Sequence, residues 1–466
     1  MPFNDLREFL DALERTGDLT RLERPVAAKF ELAAYCRRML DERGPAIRFE
    51  NVVGHDVPVV SDVLATRRRF ATALETTEAR LADAWLTRSK NPIPPVVESG
   101  PAPCQEVVMS GDDVDLTALP IPTWNEHDGG PYISTGLVFS KDPLTESRNV
   151  AIYRVQIHDK NTIGMLFAPY RHLSLHAKNS TSKRFPIAIA IGVDPVCAIA
   201  AAAPLPYGED EMALAGALRG APVKLTPCVS VPLEVPSTAE IVLEGELDLE
   251  QTAVEGPYGD FTGYYNEAAP RPVIHIKTVT TRRNPIYHGS YQGRPPQDST
   301  LMNSIPVECE ILRSVAPSGI RDIHLTEGGC GVFNAVASIT KQCEGHGRMV
   351  AAAIFGTWAG RGIKNLTIVP EDVDVRKAIE VERAVALNVQ PHRDIDIMHN
   401  VTGIALDPSL PPEERRTRFA RTSKIIIDAT GFQYEGETPA ELCMPPQSAL
   451  DLVDEHWAED FGVTPR

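Results

Sequence analysis

Glu255-Gly256-Pro257-Tyr258-Gly259-Asp260, continued by Phe261-Thr262-Gly263-Tyr264-Tyr265, is the stretch around which this 466-residue chain is organised. Glycine opens backbone conformations that other residues avoid, and proline fixes φ, so the segment reads as a shaped loop and not as a helix. Such a loop can hold two carboxyls at a fixed spacing, as general acid–base chemistry requires. Solvated turn acids would have the same composition. The segment alone does not decide between these readings.

The totals narrow the field. A chain of 466 residues is too long for one ordinary core, so two or three domains are expected. Hydrophobic content of 43% with 23% charged residues is that of a folded, soluble protein. The balance of 46 basic against 63 acidic residues, net −17, argues against nucleic acid as the main partner. It does not exclude small anions, which respond to the local field of a pocket. Eight cysteines without a CxxC spacing suggest reduced thiols in a cytosolic protein. Met1–Leu10 is charged and amphipathic, with no apolar signal core, and no run reaches membrane-spanning length. The expectation is a cytoplasmic protein with no membrane span.

Leu6, Phe9, Leu10 and Leu13 fall at helical spacing, with Asn4 placed to cap the start and Gly17 to end it. A strand over 18–24, a helix over 31–42 and strands at 46–49 and 58–60 complete a small α/β unit, which ends in the proline-rich segment 91–104, read as a linker. From 106 to 287 the pattern is short strands split by Gly/Pro turns (133–139, 150–157, 187–192, 223–231, 272–280), with helices at 173–180 and 209–219. Many short strands in sequence suggest a split β-barrel. A helical region at 299–315 leads to a third segment, where 349–355, 365–369 and 424–428 alternate with helical stretches as in an α/β domain.

No Walker loop, HExxH or GxSxG occurs in a credible context, and Gly328-Gly329-Cys330-Gly331 reads as a tight turn. More informative is Asn149-Val150-Ala151-Ile152-Tyr153-Arg154: strand alternation puts Asn149 opposite Ile152 and Arg154 unless a bulge intervenes. An arginine in an apolar strand is costly to bury unless it meets a carboxylate or a ligand, and an edge position in water is the competing reading. His172 closes Phe167-Ala168-Pro169-Tyr170-Arg171-His172, just before an amphipathic helix. Glu211 ends a proline-rich loop at a helix start, where the helix dipole alone would explain an acid.

Taken together, NVAIYR at 149–154, Tyr170-Arg171-His172, the loop ending in Glu211 and EGPYGD at 255–260 resemble the UbiD family, decarboxylases that use prenylated FMN. Similarity at 236–245 and 423–430 extends the resemblance over nearly the whole chain. It implies an α/β multidomain protein: a small N-terminal α/β domain (1–105), a central split-barrel prenyl-FMN-binding domain (106–298), a linker helix (299–330) and a C-terminal α/β oligomerisation domain (331–466). Asn149, His172 and Glu211 would hold a divalent metal, usually Mn²⁺, that clamps the cofactor phosphate, a donor set suited to that ion. Potassium would sit beside Ala201, Ala202 and Ala203, where only backbone carbonyls are on offer. Ile152, Arg154, Ala168, Arg171 and Lys424 would complete the cofactor site. Lys424, opening an apolar strand, also reads as a snorkelling surface residue.

The resemblance further implies a catalytic acid–Arg–acid network of Glu255, Arg154 and Asp260. Decarboxylation of an aromatic acid would proceed through a covalent prenyl-FMN adduct, with Glu255, its pKa raised in a dry site, as proton donor. Some members carry Glu where this chain has Asp260. The segment 286–302 should line the far side of the substrate ring, and its His288, Tyr291, Gln292 and Arg294 point to a polar or heteroaromatic acid. Further implications are a separate flavin prenyltransferase as cofactor source and a homodimer or homohexamer. The competing readings are a 4-hydroxy-3-polyprenylbenzoate decarboxylase of ubiquinone synthesis, a conventional flavin oxidoreductase and a non-catalytic assembly subunit.

Overall fold

The computed structural model describes residues 2–166, 168–417, 419–431 and 443–462. Phe167 of the 167–172 motif, and 432–442 and 463–466 of the expected third domain, lie outside the described residues. Residues 1–430 form one compact unit and 431–466 a second, whose described part contains the helix Gln447–Phe461.

The centre of the first unit is a nine-stranded antiparallel sheet that curls into a half-barrel. Its middle strand, Arg184–Ile191, reads RFPIAIAI and is buried on both faces. Alternation assigns the faces. Ile187, Ile189 and Ile191 join one core with Val138, Ile241 and Leu243, while Ala188 and Ala190 join another with Leu137, Phe139 and Val242. The small residues face the core that includes the helices Pro195–Ala201 and Glu211–Arg219. The long strands Ile241–Glu255 and Ala269–Thr281 pair with each other and carry the chain out to the Glu255 loop.

Two expected strands are broken. The run at 133–139 divides into Tyr132–Ile133 and Leu137–Lys141. A Cβ on Gly136 would stand 2.7 Å from Ile189, and the intervening Ser134 and Thr135 turn away to bond Ser290 N–H (2.9 Å) and the His288 carbonyl (2.7 Å). The run at 150–157 divides into Arg148–Ile152 and Val155–Ile157, so strand alternation does not carry through to Arg154. The 223–231 expectation shortens to Lys224–Pro227.

The N-terminal helix Leu6–Arg15 is capped by Asp5, not Asn4: Asp5 accepts from Glu8 N–H, while Asn4 is taken up by the Glu8 carboxylate. Gly17 ends it with φ +75°. The strands Leu19–Leu22, Ala46–Phe49 and Val59–Ser61 form a four-stranded sheet whose last strand, Tyr287–Gly289, comes from far along the chain. Nor is the proline-rich 91–104 segment a free tether. Val96–Val97 pairs with Lys224–Pro227, Ile93 N–H donates to Ala213, and Cys104 is buried.

The helix Asp298–Val315 leads into a five-stranded mixed sheet in the order Ile320–Leu325, Asn334–Ile339, Asn365–Pro370, Arg421–Asp428, Ile395–Thr402. The second and third strands are parallel and so need a crossover, and the helix His346–Gly356 supplies it. The 349–355 run expected as a strand is therefore helical: Val350, Ala351 and Ile354 are buried on one face, while Met349 faces solvent.

Glu240 ties the N-terminal helix to the central sheet. Fully buried, it takes both forks of Arg7 (2.7 Å each), Arg282 (3.3 Å) and Ile286 N–H (3.0 Å). Removing one partner of a buried pair costs about 3–5 kcal/mol. Glu240→Ala is expected to lower the thermal midpoint by several degrees, and an unchanged midpoint would show the tie to be dispensable.

Candidate active site

The Glu255 loop is a tight hairpin, Tyr258–Gly259 pairing with Tyr265–Asn266. It folds back so that both acids reach one guanidinium. Arg154 donates from Nε and Nη2 to the two oxygens of Glu255 (2.9 and 3.0 Å) and from Nη1 to Asp260 Oδ2 (3.1 Å). The side chains of Arg154, Glu255 and Asp260 are 8%, 1% and 13% exposed. Burial opposes the charge on Arg154, but Glu255 and Asp260 outweigh it and hold its pKa above the ordinary arginine value.

Each acid has further partners. The Tyr132 hydroxyl lies 3.2 Å from Glu255 and 3.1 Å from Gln156 Oε1. Asp260 accepts from Phe261 N–H and the Asn266 amide, 2.7 Å each. Gln156 clamps the loop, accepting from Gly256 N–H (2.9 Å) and donating to the Gly129 carbonyl (2.8 Å). A Cβ on Gly129 would stand 2.4 Å from the Gly256 carbonyl, so this approach requires glycine. The Arg154 guanidinium also lies 5.0 Å from the centre of the Tyr258 ring.

Tyr153 and Arg154 lead from this network to a cavity of about 260 Å³. Asn149, Ile152, Arg171, His172, Ala201–Ala203 and Glu211 form part of its wall. Glu211 is not the helix cap. Asp210 fills that role by accepting from Met212 N–H, while Glu211 turns into the core and accepts from Val150 N–H at 2.8 Å. Burial pushes its carboxyl up to about 8, outweighing the Val150 N–H bond and the Arg171 charge that favour the ionised form. Asn149 Nδ2 is buried without a partner among the described residues. Burial, with Arg171 beside it, pushes His172 down, favouring the neutral imidazole that ligates metals. Its ring packs at 5.3 Å against Tyr207, whose hydroxyl bonds Asp142. An amide, an imidazole and a carboxylate with no salt bridge among the described residues, on one cavity wall, suit a divalent metal.

Two guanidinium groups on the same wall, Arg171 and Arg361, have no carboxylate partner among the described residues; Arg171 donates to the Ile152 carbonyl and Arg361 to that of Trp358. Arg361 was not singled out from the sequence. Its only signal is a lone cation within Trp358-Ala359-Gly360-Arg361-Gly362.

Five expected positions fall elsewhere. Arg154, Glu255 and Asp260 are not wall residues of this cavity, nor is Ala168, whose carbonyl accepts from Ser174. Lys424 is neither a wall residue nor a surface one. Burial, with Arg361 nearby, pushes its ammonium down to about 8, and it donates to the carbonyls of Arg361 (2.8 Å) and Ile363 (2.5 Å). It braces the loop that carries Arg361. From 286–302, Ser290, Gln292, Asp298, Ser299 and Met302 line the cavity. His288 is buried without a partner for Nε2 among the described residues, Tyr291 packs against Trp124, and Arg294 pairs with Asp41.

Comparison with known proteins agrees along the whole chain. Three domains of 3-octaprenyl-4-hydroxybenzoate carboxy-lyase match: the N-terminal domain at 10–89, the Rift-related domain at 95–295 and the C-terminal domain at 300–429. The UbiD-class enzyme HmfF from Pelotomaculum thermopropionicum, solved in complex with FMN, is 34% identical over 97% of this chain and 99% of its own, with TM-score 0.87. An evolved dimeric form of that enzyme is solved with prFMN, at 32% identity over 96% and 98% of the two chains and TM-score 0.84. The closed form of Sedimentibacter hydroxybenzoicus vanillic acid decarboxylase is 29% identical over 99% of both chains, with TM-score 0.86.

The buried network also sets a stability test. Arg154→Met leaves Glu255 and Asp260 without their cation, a loss of about 3–5 kcal/mol. The variant is expected to melt several degrees below the unsubstituted protein, and an unchanged thermal midpoint would contradict the ion-pair account.

Proposed function

We propose, on the premise that this chain belongs to the UbiD family, that it removes CO₂ from a small aromatic or heteroaromatic acid, reversibly and without external oxidant or reductant, as a prenylated-FMN-dependent decarboxylase. The observation that carries this reading is the buried fork of Arg154 between Glu255 and Asp260, two residues along the chain from the cavity-wall residue Ile152.

Loss of CO₂ from an sp² carbon leaves an electron pair with no sink in the protein, and prenylated flavin supplies that sink when bound. Asn149, His172 and Glu211 would hold Mn²⁺ against its phosphate, and Arg171 and Arg361 add positive charge. Potassium would take the carbonyls of the 201–203 turn. Glu255 carries the proton to the carbon that lost CO₂. Both its oxygens are engaged by Arg154, so delivery requires one of these bonds to loosen. Asp260, tethered by Phe261 N–H and Asn266, stays with the arginine and keeps its charge compensated. In the carboxylation direction the same carboxylate takes the proton away. A polyprenyl chain would need a long apolar channel, whereas Ser290, Gln292, Ser299 and Asn303 put hydrogen-bonding groups in the cavity wall, which favours a small polar acid. The cofactor would come from a separate prenyltransferase, and the chain would act in the cytoplasm as a homodimer or homohexamer.

Two substitutions separate the roles. Glu255→Gln is expected to abolish CO₂ release while flavin absorbance stays with the purified protein; retained turnover removes Glu255 as the proton donor. His172→Ala is expected to lose manganese and flavin together, read by elemental analysis and the visible spectrum. A normal flavin band in that variant counts against the metal clamp.

A further inference from the structure

One buried acidic pair has no part in this mechanism. Asp62 and Asp298 are 4% and 2% exposed. Asp62 accepts from Ser61 Oγ (2.9 Å), Tyr291 N–H (3.2 Å) and Ser290 Oγ (3.4 Å). Asp298 Oδ1 accepts from Leu64 N–H (2.8 Å), and its other oxygen has no hydrogen-bond partner among the described residues. The cation beside the pair is Arg69, whose Nη atoms donate to the carbonyls of Gly44 (2.9 Å) and Asp62 (3.1 Å) and to neither carboxylate. Asp298 opens the helix Asp298–Val315, and Asp298, Ser299 and Asn303 from its first turns line the cavity with Ser290 and Gln292. Within this wall Ser299 Oγ donates to Gln292 Oε1 (3.1 Å) and Gln292 Nε2 to Ser290 Oγ (3.4 Å). Those groups satisfy one another. The free Asp298 oxygen and the Asn303 amide do not.

We propose that Asp298, with Asn303 beside it, is a specificity-determining residue that donates a hydrogen bond to an acceptor oxygen on the ring of the bound aromatic acid. The inference rests on the decarboxylase reading for the nature of the ligand. Burial, with the Asp62 charge next to it, raises the Asp298 carboxyl well above the ordinary range. A carboxyl whose ionised form is disfavoured in this way donates from its protonated form. The metal and phosphate residues come from other elements, the strand Arg148–Ile152 and the helices His172–Asn179 and Glu211–Arg219. A ligand spanning the cavity would thus meet an anion-holding wall and a separate donor wall. The ring substituents this selects are acceptors such as a methoxy or a second carboxylate, not donors such as an amino group.

The test uses the full chain loaded with FMN and titrated with benzoate, methoxybenzoates, benzenedicarboxylates and aminobenzoates, following flavin absorbance. The unsubstituted protein is expected to bind acceptor-bearing acids about 10-fold or more tighter than benzoate, the worth of one hydrogen bond to a charged or strongly polar group. Asp298→Asn, a neutral donor that still offers an acceptor to Leu64 N–H, should keep that ratio. Asp298→Ala should bring it to about one, and Asn303→Ala, which leaves the Leu64 contact untouched, should reduce it. No preference in the unsubstituted protein overturns the inference. So does a preference for aminobenzoates, a ratio lost in Asp298→Asn, or weaker FMN binding in both alanine variants with the ratio intact. CO₂ release by the same proteins loaded with prenylated FMN reports separately on the decarboxylase reading.

Discussion

Arg154 is a buried cation, and a buried cation persists only where opposite charge and hydrogen-bond acceptors meet it in good geometry. The local architecture is arranged to provide them. The chain leaves the sheet at Tyr153–Arg154 between two short strands, which frees the guanidinium from strand alternation. The hairpin turns Glu255 and Asp260 back towards it, and the glycine at 129 lets its backbone approach the Gly256 carbonyl more closely than any side chain would permit. Tyr132 and Asn266 then add a donor each to Glu255 and Asp260, and Gln156 holds the loop by Gly256 N–H. Bonded from several sides, the two acids are fixed in place.

The cavity depends on parts of the chain that lie far apart. Tyr287–Gly289 completes the N-terminal sheet by pairing with Val59–Ser61, and from the segment that follows it Ser290, Gln292, Asp298, Ser299, Met302 and Asn303 line the cavity. The same pairing brings Asp62 to Tyr291 and Asp298 to Leu64. On the C-terminal side, Lys424 is spent on the carbonyls of 361–363 and so shapes the loop presenting Arg361. Residues 1–430 therefore form one unit, although the sequence divides by composition into three.

Legibility follows the range of the interactions. The runs at 184–191, 365–370 and 421–428 are buried by their own pattern, and the sequence shows them as strands. Breaks within 133–139 and 150–157 are invisible because their causes, Ile189 against Gly136 and Glu255 against Arg154, lie about 50 and 100 residues away. The 349–355 run is apolar enough for a strand, and only the parallel pairing of its neighbours makes it a helix. In the site, Arg154, Glu255 and Asp260 sit in a recognisable order of motifs, as do Asn149, His172 and Glu211. Arg361 and Asp298 escaped notice because nothing local distinguishes a cavity-facing Arg or Asp from an exposed one.

Net charge misleads in the same way. A chain at −17 repels anions at long range, yet the cavity wall carries guanidinium groups at 171 and 361 that form no salt bridge among the described residues. Acids next to it contribute little negative field. Glu255 and Asp260 share Arg154, while burial disfavours the ionised forms of Glu211 and Asp298. Within a low-dielectric pocket, unpaired charge at short range outweighs screened charge on the surface. An acidic exterior and a cavity wall bearing guanidinium groups without salt bridges are thus compatible, because solvent screens the first and the fold shields the second.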